Sequence, residues 1–215
     1  MMKQTLNGQN TTEQYAIAEL LEGSNVIRQT AFCLSSEIVN VAEHIIAALQ
    51  QGYKVMSCGN GGSAADAQHF AAELVGRYRR QRPSWAAIAL TVDSSVLTSL
   101  SNDYGFEQVF ARQVQALGRP GDILVAISTS GSSKNVLAAV EMASSLGIRT
   151  VGLTGEGKSR LGEMVDHHLP VPSANTAFIQ QAHIAILHVF CELVEARLTG
   201  ESMNSRLNAD EREGR

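Results

Sequence analysis

The chain has 215 residues, of which 44% are hydrophobic and 18% charged, an ordinary balance for a globular domain. Its formal net charge of -4 leaves no basic surface of the kind that binds nucleic acid. The N-terminal MMKQTLNGQNTTEQ lacks the apolar core of a signal peptide, no uninterrupted apolar run approaches about 18 residues, and the three cysteines (Cys33, Cys58 and Cys191) are far apart. We therefore expect a cytoplasmic protein with free thiols, no membrane span and no nucleic-acid partner.

The first fifty residues predict helix. From Ile27 onward, apolar residues recur in steps of three and four, which places them on one face of a long helix. This helix is expected to end at Gly52, a suitable C-terminal cap. Two interpretations of the apolar face stay open: it packs on its own domain, or part of it forms a bundle with another subunit. The positions are Ile27, Ala31, Leu34, Ile38, Val41, Ile45 and Ala48.

Beyond Gly52, short apolar runs alternate with helical segments. Strands are predicted at KVMSCG (54–59), AAIALT (86–91), DILVAIS (122–128), RTVGLTG (149–155) and HHLPVP (167–172). Helices are predicted over 63–76, from Ser94, around 106–117, over 134–146 and over 176–198. This order predicts one α/β domain over residues 1–200, a doubly wound parallel five-stranded sheet flanked by helices, with a long N-terminal helical extension. The polar tail, 201–215, is expected to be disordered.

Two strand-to-helix turns have compositions suited to an anionic ligand. CGNGGS (58–63) combines glycines, which allow close backbone approach, with a helix N-terminus, although its spacing is not that of a dinucleotide-binding GxGxxG turn. STSGSS (128–133) gathers hydroxyl and amide donors that suit a phosphate monoester. The alternatives are a plain tight turn for the first and a serine N-cap for the second. Because ligands bind beyond the carboxyl ends of parallel strands, we favour a phosphorylated small molecule held by both turns.

Candidate chemical groups follow the first turn and recur in the last helix. His69 and Glu73 are four residues apart, so they share a helix face within about 6 Å. The last helix carries Gln180, His183 and His188 in an otherwise apolar segment, where a buried polar side chain needs a partner. The simpler interpretations are a surface His/Glu pair and a core histidine that has its hydrogen bonds.

Four segments together resemble the phosphoheptose isomerase family, which has the SIS (sugar isomerase) fold, a flavodoxin-like arrangement. They are CGNGGS with DAQHFAAEL and GRY, then SNDYGFEQVFARQV, GRPGDILVAISTSGSS and IQQAHIAILH. The resemblance covers residues 27–198. Its visible departure is Ala64-Ala65 after the glycine turn, which affects fine substrate contacts and no catalytic position.

The resemblance implies an aldose–ketose isomerase that converts sedoheptulose 7-phosphate to D-glycero-D-manno-heptose 7-phosphate, the first step of ADP- or GDP-heptose biosynthesis. It implies a homotetramer with one Zn²⁺ per subunit. Glu73 and His188 would be the catalytic proton-transfer pair. The implied metal ligands are His69, Glu73, Gln180 and His188. The implied substrate-binding residues are Asn60, Gly61, Gly62, Ser63, Glu73, Asn102, Asp103, Ser128, Thr129, Ser130, Ser133 and Gln180.

Helical spacing adds an expectation about assembly. Gln180 and His188 are eight residues apart, which is about 12 Å along a helix and roughly 80° around it. Two side chains so placed on one helix reach a single ion with difficulty, so we expect active sites at subunit interfaces.

Three other functions are compatible with this fold. One is a non-catalytic protein that binds the bacterial replication initiator DnaA and has a similar glycine turn. Another is a sugar-phosphate-sensing regulator, which ordinarily carries a DNA-binding domain that this sequence lacks. The third is an isomerase or epimerase of a different sugar phosphate. Retention of Glu73 and His188 favours catalysis, because a binding module has no need for them.

Overall fold

Five parallel strands form the centre of the structure, a computed structural model that describes residues 11–200. The sheet order is β2-β1-β3-β4-β5, and every neighbouring pair is parallel. The predicted fold class, a parallel five-stranded α/β sheet, is confirmed. The disordered tail predicted for 201–215 lies outside the described residues. The strands are β1 (Val55–Gly59), β2 (Ala87–Ala89), β3 (Ile123–Ile127), β4 (Arg149–Thr154) and β5 (His167–Pro170).

Helices cover both faces of the sheet. A short helix over Arg160–Met164 is missing from the sequence prediction, because five residues are too few to show a helical period. It begins at Ser159, whose hydroxyl accepts a hydrogen bond from the Gly162 amide at 3.1 Å. The helices are α1 (Thr11–Gln50), α2 (Gly62–Val75), α3 (Ser94–Tyr104), α4 (Val109–Leu117), α5 (Lys134–Ser145), α6 (Arg160–Met164) and α7 (Thr176–Thr199), with a 3₁₀ turn at Phe106–Gln108.

The alternation of side chains along β3 divides the core into two layers. Ile123, Val125 and Ile127 pack with α1, α2 and α7 on one face of the sheet. Leu124 and Ala126 pack with α4 and α5 on the other. Because both faces are covered, all five β3 residues are buried, as a central parallel strand requires.

The buried face of α1 differs from the prediction at its N-terminal end. Leu34, Ile38, Val41, Ile45 and Ala48 are buried as predicted, and α1 ends before Gly52, which has a positive φ of 79°. Ile27 and Ala31, however, are exposed. Their place in the core is taken by Gly23, Val26 and Thr30, because α7 packs alongside α1 and brings Phe178 and Gln181 against Gly23.

Helices α1 and α7 are each long and apolar enough to cross a membrane by length and composition, with a mean hydropathy of 1.4. In the structure, 44% and 50% of the residues in those apolar windows are buried within the fold. A helix of a protein core passes the same test, and α7 supplies Phe190 and Val194 to the core. The absence of a membrane span stays a prediction.

The strand order fixes where a ligand can bind. The chain leaves β1 towards one edge strand, β2, and leaves β3 towards the opposite edge through β4 and β5. Loops that depart in opposite directions open a crevice beyond the carboxyl ends of β1 and β3. The glycine turn follows β1 and the serine loop follows β3, so both line this crevice.

His183 of α7 belongs to the core. Its side chain is fully buried, and Nε2 lies 3.1 Å from the Thr154 carbonyl oxygen at the end of β4. Burial lowers the pKa of His183 to about 4, although the hydrogen bond to Thr154 opposes the shift. Of the two histidines of α7 considered in the sequence, His183 is therefore the core residue.

This burial predicts a loss of stability in acid. Above pH 6.5 His183 is neutral in both the folded and the unfolded chain, but below it the unfolded chain takes up a proton that the folded protein excludes down to about pH 4. Between pH 7 and pH 4 the free energy of unfolding should therefore fall by about 3 kcal/mol more in the wild type than in His183→Gln. Urea denaturation across this pH range measures the difference, and parallel pH profiles would contradict it.

Candidate active site at the carboxyl edge of the sheet

The geometry of the first turn favours glycine at position 61, and glycine at position 62 leaves space that the Gln180 side chain occupies. Gly61 has a positive φ of 54° and precedes the first residue of α2. A Cβ on Gly62 would lie 2.2 Å from Nε2 of Gln180, so the absent side chain makes room for α7. The turn therefore brings the N-terminus of α2 against Gln180, as a close-approach turn and not a plain tight turn.

In the serine loop after β3, side-chain hydroxyls form hydrogen bonds with one another. Ser133 occupies the N-cap position of α5, yet its hydroxyl makes no capping hydrogen bond. It lies instead 3.1 Å from Oγ of Ser128, while Oγ of Ser130 accepts hydrogen bonds from the amide and hydroxyl of Ser132. The simple interpretation of this loop as a serine N-cap is therefore wrong for Ser133. The loop presents clustered donors beside a helix N-terminus, which suits a phosphate.

An amide pair joins the two turns. Nδ2 of Asn60 donates to Oδ1 of Asn135 at 2.8 Å, and Nδ2 of Asn135 donates back to Oδ1 of Asn60 at 2.8 Å. Asn135 is 3% exposed and its Oδ1 also accepts from the Val136 amide. Because the pair fixes the glycine turn to the start of α5, both turns line one crevice.

The structure brings together three predicted chemical groups, His69 and Glu73 of α2 and His188 of α7. We call them the triad. Nε2 of His69 lies 3.0 Å from Nε2 of His188 and 3.2 Å from Oε1 of Glu73. All three atoms lie within 4.8 Å of one another, and they form a candidate metal-binding group in the described part of the chain.

The triad has a donor set that fits zinc. Two imidazole nitrogens and one carboxylate oxygen are typical of three-ligand zinc sites that keep a position open. A tetrahedral zinc ion bound at about 2.0–2.2 Å separates its ligand atoms by roughly 3.3–3.6 Å. The two shortest separations, 3.0 Å and 3.2 Å, are close to that spacing.

Burial shifts the pKa of two groups around the triad. Partial burial lowers the pKa of His188, His69 and Arg79 lower it further, and Glu73 opposes them. His188 is therefore neutral at pH 7, the form that binds metals or accepts a proton. Burial raises the pKa of Asp66, which His69 only partly offsets, and its Oδ2 has no hydrogen-bond partner among residues 11–200.

Other predicted site residues lie apart from the triad within one chain. Gln180 contacts Gly62 at the start of α2, and eight residues of α7 separate it from His188. Asn102 and Asp103 lie on the exposed last turn of α3, where Nδ2 of Asn102 donates to Oδ1 of Asp103 at 2.8 Å. Ser63 is buried behind the turn, and Ser130 is exposed. The roles of these residues stay predictions.

Four further residues support this site and are absent from the sequence prediction: Tyr78, Arg82, Asn135 and Glu195. Tyr78 stacks on His188 with ring centroids 5.3 Å apart, and Glu195 is fully buried. Burial would raise the pKa of Glu195, but hydrogen bonds from the backbone of 78–80 and from Arg82 lower it overall. One feature of the sequence could have indicated Glu195. It is a carboxylate inside the apolar last helix, seven residues beyond His188 and therefore close to the same helix face, where a buried charge needs a partner.

Comparisons with known proteins show the family to which the chain belongs. The family described as "SIS domain" matches residues 21–155. The phosphoheptose isomerase of Roseiflexus sp. (strain RS-1) is 52% identical over 87% of this chain and 95% of its own length. The solved phosphoheptose isomerase of Neisseria gonorrhoeae is 42% identical with a TM-score of 0.82, covering 86% of this chain and all of its own. That of Francisella tularensis is 39% identical with the same TM-score, covering 86% and 98%.

The Asn60–Asn135 pair predicts that substitutions of these two residues have coupled effects on the free energy of unfolding. Asn135→Ala should cost about 1–3 kcal/mol, because it leaves the Asn60 amide without its partner near the core. Asn60→Ala should cost less once Asn135 is already removed, giving a coupling energy of about 1 kcal/mol in a double-mutant cycle. Urea denaturation of the four proteins measures it.

The matched control is Asn40→Ala. Asn40 is exposed and makes a long 3.4 Å contact with Glu37, so its removal should change the free energy of unfolding by less than about 0.5 kcal/mol. Additive effects of the Asn60 and Asn135 substitutions would show that the two turns are not joined.

Proposed function

Because the chain belongs to the phosphoheptose isomerase family of SIS-domain proteins, we propose that it converts sedoheptulose 7-phosphate to D-glycero-D-manno-heptose 7-phosphate. The observation that carries the proposal is the meeting of Glu73 and His188, from the helix that begins at the glycine turn and from α7. The predicted membership of this isomerase family is confirmed by these relatives. The substrate, the metal and the assembly are parts of the proposal.

The reaction moves one hydrogen between neighbouring carbons of the sugar. Glu73 takes the proton from C1 and returns it to C2, after an enediol has formed. His188, neutral at the start, accepts a proton from the oxygen on C1 and passes it to the oxygen on C2, so it ends neutral and protons balance. The neutral imidazole favoured by the lowered pKa of His188 suits this exchange near pH 7.

The phosphate end of the sugar binds the serine loop. Ser128, Thr129, Ser130 and Ser133 surround the start of α5, whose free amides and helix dipole favour an anion. Asn60, Gly61 and Gly62 line the opposite side of the crevice, and the Asn60–Asn135 pair fixes the distance between the two sides. A substrate held at its phosphate thus presents its carbonyl end to the triad.

His69, Glu73 and His188 would hold the zinc ion. When bound, zinc would polarise the substrate carbonyl and stabilise the negative charge that develops on its oxygen. Gln180 completes the proposed ligand set, and its distance from His188 along α7 supports a contribution from a second subunit.

Exposed apolar residues of α1 support the homotetramer. Tyr15, Leu20, Leu21 and Phe32 are 65–80% exposed on a helix that packs on α7 through its other face. Large apolar side chains this exposed along one helix support an interaction surface on α1. We propose that it contacts other subunits, in the cytoplasm, and that the product is consumed in making ADP- or GDP-heptose.

The triad also argues against a non-catalytic regulator. A protein that only binds a replication initiator, or only senses a sugar phosphate, has no use for a carboxylate next to two imidazoles. The clustering of these groups supports the enzyme, because each has a role in proton transfer or metal binding.

A direct assay tests the substrate and the metal together. Purified protein with sedoheptulose 7-phosphate should form the aldose, lose this activity after complete chelation and regain it with added Zn²⁺. Fructose 6-phosphate serves as the control substrate. No aldose from the wild type would overturn the proposed reaction, whereas full activity without any bound metal would overturn the zinc site alone.

Substitution of Glu73 tests the proton transfer. Glu73→Gln keeps an oxygen for metal binding but removes the base, so kcat should fall by about 10²- to 10⁴-fold while the Kd for the substrate stays similar. Steady-state kinetics and isothermal titration calorimetry measure the two quantities. Glu141→Gln, an exposed residue of α5, is the matched control. Near-normal turnover in Glu73→Gln would exclude it as the base.

A further inference from the structure

A buried carboxylate at the end of α7 binds the segment that follows α2. Glu195 is fully buried and accepts hydrogen bonds from three consecutive backbone amides, those of Tyr78, Arg79 and Arg80, at 2.8, 2.9 and 2.9 Å. Three backbone donors on one carboxylate fix the course of the chain at these residues. The segment 78–80 is therefore anchored to α7.

Arg82 connects the same carboxylate to α2. Its side chain is only 2% exposed, and Nε donates to Oε1 of Glu195 at 3.0 Å. Its two terminal nitrogens donate to the carbonyl oxygens of Glu73, at 2.6 Å, and Leu74, at 2.8 Å. These carbonyls belong to the last turn of α2, where no later helical amide donates a hydrogen bond to them.

The Arg82–Glu195 pair thus joins the two helices that carry the triad. One end of the pair is bonded to the backbone of Glu73 itself, and the other lies about two turns beyond His188 on α7. The anchored segment also places the ring of Tyr78 against His188, with centroids 5.3 Å apart and planes 30° apart. The pair therefore constrains Glu73 through its backbone carbonyl and His188 through the ring of Tyr78.

Helix capping explains only one half of this arrangement. The Gly76 amide bonds to the Ala72 carbonyl oxygen and Arg82 bonds to those of Glu73 and Leu74, but capping does not require the guanidinium to be paired with a buried carboxylate of another helix. Burying a charged pair carries a large desolvation cost, and apolar replacements of such pairs are often as stable. A role in fixing the geometry of the two helices explains why these positions hold a charged pair and not apolar side chains.

We propose that Arg82 and Glu195 are positioning residues that hold Glu73 and His188 at the separation needed for metal binding and proton transfer. The proposal rests on the proposed isomerase function. It assigns no chemistry to the pair, because both side chains are buried and bonded to backbone and to each other.

Two variants separate positioning from folding. Glu195→Gln keeps the shape but replaces one acceptor oxygen with a donor that faces backbone amides. The double variant Arg82→Met/Glu195→Leu removes both charges together, so no unpaired charge is left buried while the bonds to α2 and to 78–80 are lost. Arg197→Met is the matched control, because Arg197 also belongs to α7 and binds Glu43 of α1 at 2.6 Å, but both side chains are about half exposed.

Two measurements other than enzymatic activity report the effect of these variants on the triad and on Arg82. The Kd for Zn²⁺ by competition reports the geometry of the triad without any turnover. Trp85 is the single tryptophan of the chain, and the Arg82 guanidinium lies 3.6 Å from its ring centroid. Its fluorescence therefore reports displacement of Arg82 in Glu195→Gln. Thermal unfolding shows that each variant is folded.

We expect both variants to bind Zn²⁺ about 10- to 100-fold more weakly and to lose a similar factor in kcat, with KM little changed. Arg197→Met should match the wild type. Folded variants with wild-type zinc affinity and kcat would overturn the positioning role. A wild type that binds Zn²⁺ but forms no aldose would overturn the proposed function instead, and the zinc affinities would still test the pair.

Discussion

Helices α2 and α7 lie side by side and run in the same direction, and the candidate site depends on this packing. Their contacts follow the same order along both helices: Gly62 with Gln180, His69 with His188, and the segment after α2 with Glu195. A change in the register of one helix against the other would separate Glu73 from His188. The buried Arg82–Glu195 pair fixes this register at one end, and Gln180 packs against Gly62 at the other.

The sheet positions the glycine turn and the serine loop of the candidate site. Because the chain departs in opposite directions after β1 and β3, the glycine turn and the serine loop open towards the same crevice. The Asn60–Asn135 amide pair then sets their separation. In the proposed reaction, substrate binding and chemistry come from different elements: the two loops would provide neutral donors for a phosphate, and the two helices would provide the ionisable groups.

Local patterns in the sequence predicted most of the fold. The strand-helix alternation and the turn glycines are short-range features, so the sheet class, the strand positions and α2 were predictable. On α1, Ile27 and Ala31 are exposed, which rules out packing within this domain at those two positions and leaves the alternative of a contact with another subunit; which residues of α1 are covered is decided by α7 and not by the α1 sequence. The contacts of Glu195 with residues 78–82 and of Asn60 with Asn135 cross more than 70 positions, and no local pattern encodes them.

The central claim is that α2 and α7 bring His69, Glu73 and His188 to one metal ion. Crystals of the protein grown with Zn²⁺, measured at the zinc absorption edge, test it most directly. The account predicts an anomalous peak about 2 Å from Nε2 of His69, Nε2 of His188 and a carboxylate oxygen of Glu73. An ion bound elsewhere, with these three side chains turned away from one another, would contradict it.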